Sequence, residues 1–438
     1  MDVKIFPGFL NGSVRAIPSK SMAHRALICA AVADAALADA ALTDIVTRIE
    51  CDGQSKDIAA TSDCLSALGA GIRFENGVYI VKPLMNTGSD SAVTLPCGES
   101  GSTFRFLLPL VCALERKALF ALEGRLPQRP LSPLYEELVR HGCSFSPQGA
   151  NPFRAEGKPS SGVYSLDAGV SSQFISGLLF ALPLLDGDSE IKLSGQIESF
   201  PYIELTVSML NVFGITVEYK NAVFSIPGGQ KYRSPGTVQV EGDWSNAAFW
   251  LTAGALGEGG VTCDGLDPLS LQGDRAITDI LARFGARVEI NGRSVTVYGG
   301  KLRGIKIDAR DIPDLVPVLA VAAAAAEGTT VIRNAGRLRA KESDRLAAIS
   351  SVLNSLGSAV LVKDDGLVIS GGGGKAGKIL AGGQVSSWGD HRIAMAAAAA
   401  SVLCREPVVI KDAQAVNKSY PGFFDDFRSL GGSAETVN

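Results

Sequence analysis

Residues 274–299 read DRAITDILARFGARVEINGRSVTVYG, and two periods meet inside them. Ile277, Ile280, Leu281 and Phe284 fall at helical spacing, on one face of a helix that stops at Gly285. Beyond the glycine the apolar residues alternate, as in short β runs flanking a turn. Similar pairs recur: LSPLYEELVRHG comes before SFSP, and DRLAAISSVLNSLG before SAVLVKDDGLVI; GIRFENGVYIV and ITVEYKNAVFSI follow two further helix stops. Marking every stop gives Gly69, Gly142, Gly214, Gly285, Gly357 and Gly431, spaced 71 to 74 residues apart. Unrelated helix ends would not keep so constant an interval, although each glycine alone is only a helix terminator. The chain is therefore read as six α/β units. Solenoid repeats usually run to about 20–50 residues, so six larger units are expected to form two globular domains of three units each, with a solenoid as the alternative.

The composition narrows the function. At 438 residues and 46% apolar content the chain can bury two or three cores. Its 41 basic and 45 acidic residues leave a formal charge of -4, so no global field favours nucleic acid or an anionic membrane, and any anion must meet a local basic cluster. Eight cysteines, at 29, 51, 64, 97, 112, 143, 263 and 404, form no CxxC pair and have no histidines at metal-ligand spacing. They read as buried thiols of a reducing compartment. The stretches Leu315 to Ala326 and Ile393 to Cys404 fall short of the ~20 residues that span a bilayer. Met22 to Leu42 is interrupted by Arg25, Asp34 and Asp39, and no signal peptide is evident, so the expected location is the cytoplasm.

Several motifs suit anion chemistry, and each has a plainer reading. In PSKSMAHRAL (18–27), Lys20, Ser21 and Arg25 open a helix whose free N–H groups attract anions; a solvated first turn is the alternative. CGESGSTFRFL (97–107) is a glycine and serine loop entering a helix with Arg105, which can cradle a phosphate or merely cap a turn. GRLPQRP (124–130) holds Arg125 and Arg129 between prolines, and SSQF (171–174) sets Ser171, Ser172 and Gln173 in a row. Asp314 of IPDL heads an apolar helix, where it can complement the dipole or, desolvated, act as a base. RAKESDRL (339–346) crowds Arg339, Lys341, Glu342, Asp344 and Arg345 into one helix start. In WGDHRIAMAAAA (388–399), beside Asp390 and Arg392, His391 is read as the residue that holds its loop in place, with a general base as the alternative. GGGKAGK (372–378) mimics a nucleotide loop, but Ile379 stands where Ser or Thr is required and no helix is expected after it.

Taken together, PSKSMAHRAL, GESGSTFR, RLPQRP, SSQF, EGDWSNAAFW (241–250), IPDL, KESDRL, GDHRIAM and NKSYP (417–421) closely resemble, in order and spacing, the EPSP synthase family of enolpyruvyl transferases. The resemblance spans essentially the whole chain. It implies six α/β repeats in two domains, 1–18 with 242–438 and 19–241, and an active site in the cleft between them. It implies transfer of enolpyruvyl from phosphoenolpyruvate to the 5-hydroxyl of shikimate 3-phosphate by a monomer without metal or organic cofactor. Phosphoenolpyruvate, and the inhibitor glyphosate in its place, is then expected among Lys20, Gly101, Arg129, Gln173, Arg345, Arg392 and Lys418. Shikimate 3-phosphate is expected at Lys20, Ser21, Arg25, Ser171, Ser172, Gln173, Ser199, Tyr202, Asp314, Arg337 and Lys341. Asp314 is the expected base, Lys20 its neighbour stabilising charge, and Glu342 the acid, its proton affinity lowered by Lys341 and Arg345 and raised by desolvation and substrate anions.

Three positions depart from the family pattern: Glu99 in place of asparagine, Phe106 in place of proline, and Arg337 in place of an asparagine that contacts the shikimate phosphate. The sister enzymes that act on UDP-N-acetylglucosamine carry Lys-Asn where this chain has Lys20-Ser21, and a reactive cysteine or aspartate that RLPQRP lacks. A non-catalytic repeat scaffold would explain the periodicity but not basic residues gathered at the repeat junctions.

Overall fold

The computed structural model describes residues 1–33, 46–84, 91–373 and 379–437. Its chain forms two compact units, Met1–Ile17 with Glu241–Asn438, and Pro18–Val240. Each contains three four-stranded sheets among the described residues.

Every repeat carries two helices. In Pro18–Val240 they are α1 (Lys20–Ala31) and α2 (Lys56–Ala67), α3 (Gly101–Ala113) and α4 (Leu134–Arg140), α5 (Ser172–Ala181) and α6 (Phe200–Val212). In the other unit they are α7 (Trp244–Leu256) and α8 (Ile277–Phe284), α9 (Val316–Ala325) and α10 (Arg345–Ser355), α11 (His391–Ala400) and α12 (Phe423–Ser429). The first helix of each pair is sunk in the core: α7, α9 and α11 are buried along their whole length. The alanine runs of α9 and α11 keep side chains short, so these two can pack closely against one another, and α7 packs against both. The second helix is amphipathic and ends one or two residues before its glycine. All six glycines have positive φ, from +76° at Gly214 to +113° at Gly285. At Gly285 a Cβ would also lie 2.5 Å from the Lys301 carbonyl oxygen, so both φ and space require glycine.

The sheets repeat one pattern. An edge strand runs parallel to an inner strand, with the buried helix as crossover, and a hairpin completes the sheet antiparallel, as in Lys306–Asp308, Glu327–Arg333, Gly366–Gly372 and Ala359–Lys363. The run around SFSP is strand only over Cys143–Phe145, and its hairpin partner is Phe153–Gly157. After Gly431 there is, among the described residues, a single strand, Ser433–Val437, with no hairpin return. Its partner is the N-terminal strand Asp2–Phe6, which sits between it and Val408–Lys411. Edge strands are also supplied from a distance: Gly12–Arg15 flanks Val261–Asp264, and Thr237–Gln239 flanks Thr47–Glu50. GGGKAGK ends in residues 374–378, outside the described set; the next strand after it is Gly383–Ser386, with no helix between among the described residues.

Val3 and Ile5 of the N-terminal strand are buried with the C-terminal core. Ile5→Ala should therefore lower the unfolding free energy by about 2–5 kcal/mol, whereas Ile290→Ala, at an exposed position, should stay within ~0.5 kcal/mol. Urea titration of the two variants decides this, and equal small losses would show that the strand is dispensable.

Candidate active site

In the unit Met1–Ile17 with Glu241–Asn438, three helix starts converge on one guanidinium. Arg345 is the first residue of α10, which Asp344 caps by accepting from the Ala347 N–H. The side chain is 2% exposed and donates in three directions: Nε to Asp390 Oδ2, Nη1 to Asp314 Oδ1 and Nη2 to Glu342 Oε2, each at 2.8 Å. Asp314 sits in the turn Pro313–Leu315 that leads into α9. Its second oxygen accepts from Arg392 Nη2 at 2.9 Å. Asp390 is fully buried and caps α11 through the Arg392 N–H, while the Ser343 hydroxyl also donates to it. The Lys418 ammonium lies 3.4 Å from Glu342 Oε1. Three carboxylates and three cations thus share one network.

This geometry changes one expectation. The setting of Asp314 is ionic and not apolar: burial favours its neutral form, but Arg392, Arg345 and Lys341 outweigh burial and hold the carboxyl well below the usual range. In the free protein Asp314 is therefore a weak base. The loop before α11 is held by Asp390, through its cap and its bonds to Ser343 and Arg345; His391 is buried at the first position of the helix, its Nδ1 3.6 Å from Asp390 Oδ1. Arg345 itself is desolvated, yet Asp390, Glu342 and Asp314 keep it firmly protonated. Arg337 donates to the Arg310 carbonyl, and Arg339 is committed to Asp344 and the Lys363 carbonyl. Of EGDWSNAAFW, Asp243 caps α7, and Glu241 accepts from Gln272 and Ser270.

Within Pro18–Val240, Ser19 caps α1 and Lys20 pairs with Asp57 of α2 at 2.8 Å. Asp57 escaped the sequence reading; its only signal there was an acidic residue in a helix first turn. Arg25 is 3% exposed and donates to the Thr206 hydroxyl and to the Ser21 and Tyr202 carbonyls, at 2.7–2.8 Å. Desolvation, only partly opposed by Tyr202 and Cys29, brings its pKa down to about 10. Phe106, one of the departures, lies in the core with its ring centroid 5.1 Å from that guanidinium. At the start of α3, Arg105 Nη1 donates to Gln173 Oε1, and Gln173 Nε2 to the Ser102 hydroxyl, both at 2.9 Å. A Cβ on Gly101 would lie 2.7 Å from Arg129 Nη1 and 2.9 Å from Arg105 Nη1, so two guanidiniums flank this helix N-terminus. Ser171 caps α5 just ahead of Ser172, and Ser199, at φ +55°, precedes α6, whose Tyr202 carbonyl receives Arg25. Glu99 turns its carboxylate to Gly124, where a Cβ would meet Oε1 at 2.5 Å.

The expected residues thus fall into two sets: Lys20, Ser21, Arg25, Gly101, Arg129, Ser171, Ser172, Gln173, Ser199 and Tyr202 in one unit, and Asp314, Arg337, Lys341, Glu342, Arg345, Arg392 and Lys418 in the other. Both sets are rich in cations at helix starts, an arrangement suited to small polyanions.

Comparison with known proteins matches these features to one family. A family model described as EPSP synthase (3-phosphoshikimate 1-carboxyvinyltransferase) fits residues 6–427. A 3-phosphoshikimate 1-carboxyvinyltransferase of Clostridium kluyveri is 44% identical over 99% of this chain and 98% of its own. The solved EPSP synthase of Acinetobacter baumannii superposes with a TM-score of 0.80 at 26% identity, covering 99% of this chain and 100% of that one. The enolpyruvyl transferase NikO of Streptomyces tendae, at 18% identity and a TM-score of 0.77 over 100% of this chain and 98% of its own, shares the fold. Six α/β repeats in two units, motifs that fall at helix starts, and whole-length identity to a curated relative lead to one assignment: the chain belongs to the EPSP synthase family.

Proposed function

We propose that this protein transfers the enolpyruvyl group of phosphoenolpyruvate to the 5-hydroxyl of shikimate 3-phosphate, giving 5-enolpyruvylshikimate 3-phosphate and phosphate. The observation that carries the reading is the buried network in which Arg345 and Arg392 share Asp314. A reaction between two polyanions needs cations held in place before the substrates arrive, and a carboxylate beside them to manage the proton. Lys20, Gly101, Arg129, Gln173, Arg345, Arg392 and Lys418 hold phosphoenolpyruvate; Ser21, Arg25, Ser171, Ser172, Gln173, Ser199, Tyr202, Arg337 and Lys341 hold shikimate 3-phosphate. By family resemblance the protein acts as a cytoplasmic monomer.

The chemistry is addition and elimination. The 5-oxygen bonds to C2 of phosphoenolpyruvate as its proton leaves and C3 gains one; then the C2–O bond to phosphate breaks as C3 loses a proton. Glu342 gives the proton to C3 and Asp314 takes the hydroxyl proton. Asp314 becomes a competent base only when the substrate's negative charges claim part of Arg345 and Arg392, because those arginines hold its pKa down in the free protein.

Incubation with phosphoenolpyruvate and each candidate acceptor should release phosphate with shikimate 3-phosphate and not with UDP-N-acetylglucosamine; the reverse result would reassign the protein to the sister activity. Asp314→Asn and Glu342→Gln should each lose about 10²–10⁴ in kcat while still binding shikimate 3-phosphate, and near-normal turnover in either would remove that residue from its role.

The depressed pKa of Asp314 also has a kinetic sign. The free protein keeps this carboxylate ionised, so kcat/KM should show no limb from it above about pH 4; a limb near neutrality that vanishes in Asp314→Asn would contradict the ionic setting. Gly101→Ala places a methyl against the mobile ends of two arginines, which can yield. The variant should fold, keep turnover, and lose glyphosate inhibition more than phosphoenolpyruvate affinity; equal losses of both would refute the steric account.

A further inference from the structure

Four side chains behind the start of α3 form an unbroken chain of hydrogen bonds that the mechanism above does not use. His24 Nδ1 lies 2.6 Å from the Thr61 hydroxyl, Thr61 lies 2.6 Å from the Thr103 hydroxyl, and Thr103 donates to Ser100 Oγ at 2.7 Å. The chain joins three helices. His24 stands one turn after Lys20 on α1, and Thr61 one turn after Asp57 on α2, so the relay is the second rung of a ladder whose first rung is the Lys20–Asp57 pair. All four groups are buried, none above 1% exposed.

Proton counting fixes the direction of the relay. Each of its three bonds needs one hydrogen, and each hydroxyl carries one. Thr103 gives its hydrogen to Ser100, so Thr61 must give its own to Thr103, and the bond between His24 and Thr61 must take its hydrogen from the imidazole. His24 is then the Nδ1–H tautomer. Its Nε2, buried without a hydrogen-bond partner among the described residues, carries only a lone pair there, which costs less than a stranded N–H. Burial keeps the ring neutral: desolvation lowers its pKa to about 3, outweighing the opposing pull of Asp57, while Lys20 and Arg25 act in the same downward direction. At the far end, Ser100 Oγ already accepts from the Thr103 hydroxyl and N–H, so its own hydrogen turns away from the relay at the residue preceding Gly101.

We propose that His24 is a positioning residue which, through Thr61 and Thr103, aims the Ser100 hydroxyl hydrogen at the anion held by the α3 N-terminus and its flanking arginines. The role of Ser100 rests on the reading of that N-terminus as part of the phosphoenolpyruvate site; the tautomer of His24 does not.

The test has two arms. Long-range ¹H–¹⁵N correlation on ¹⁵N-histidine protein, without substrate, should show His24 protonated at Nδ1 and bare at Nε2; an Nε2–H ring would overturn the relay. Thr61→Val keeps the volume but cuts the chain, letting Ser100 turn inward to Thr103, and should weaken inorganic phosphate binding on the order of tenfold, the loss of one charge-assisted hydrogen bond. It should raise the KM for phosphoenolpyruvate by a similar factor with kcat little changed. His24→Asn, whose Nδ2 stands near the imidazole Nδ1, should bind phosphate as the parent does, whereas His24→Leu should match Thr61→Val. If Thr61→Val binds phosphate normally, or if the Asn and Leu variants behave alike, His24 has no positioning role.

Discussion

The buried guanidinium of Arg345 is the constraint on which the C-terminal unit depends. It is 2% exposed and bonds to Asp314, Glu342 and Asp390, which come from the approaches to three helices. Taking four charged groups out of water is costly, and only near-complete mutual pairing makes it bearable. Removal of one partner would strand the others, so the starts of α9, α10 and α11 are locked to each other by charge as well as by the close packing of their apolar bodies. The alanine-rich helices make the core; the arginine fixes how their N-terminal ends face a common point.

The other unit meets the same problem with different means. Arg25 is equally buried, but it donates to the Ser21 and Tyr202 carbonyls and the Thr206 hydroxyl, and desolvation brings its pKa down to about 10. One unit thus holds cations already balanced by carboxylates. The other holds a cation solvated by neutral dipoles, which an arriving anion would stabilise directly.

Much of the fold was legible because it repeats. A glycine that must adopt positive φ marks the end of each amphipathic helix, and six of them at a near-constant interval expose the unit even where individual strands are obscure. What the residues alone did not show was which strands pair at long range; only the family resemblance placed 1–18 with 242–438. Nothing in Asp2–Phe6 states that it completes the sheet of Ser433–Val437, and nothing in Thr237–Gln239 announces Thr47–Glu50 as its neighbour. The site shows the same limit. Asp314 was judged by the apolar helix that follows it, but its environment is set by arginines 31 and 78 residues further along the chain. Asp57, Thr61 and Thr103 look like ordinary helix residues until folding brings α2 and α3 beside α1.

The coupling between Arg345 and Asp314 is also where the chemistry is most exposed to test. If the arginines that hold Asp314 down are the ones that bind phosphoenolpyruvate, substrate must raise the proton affinity of that carboxylate. A ¹³C-carboxyl titration of Asp314, assigned by comparison with Asp314→Asn and run with and without saturating phosphoenolpyruvate in the absence of acceptor, measures this directly. The expected result is a pKa well below the ordinary carboxylate range in the free protein and a clear rise on binding. An unchanged or lowered value would mean that the network does not yield its arginines to the substrate, and that Asp314 is a structural anchor and not the base.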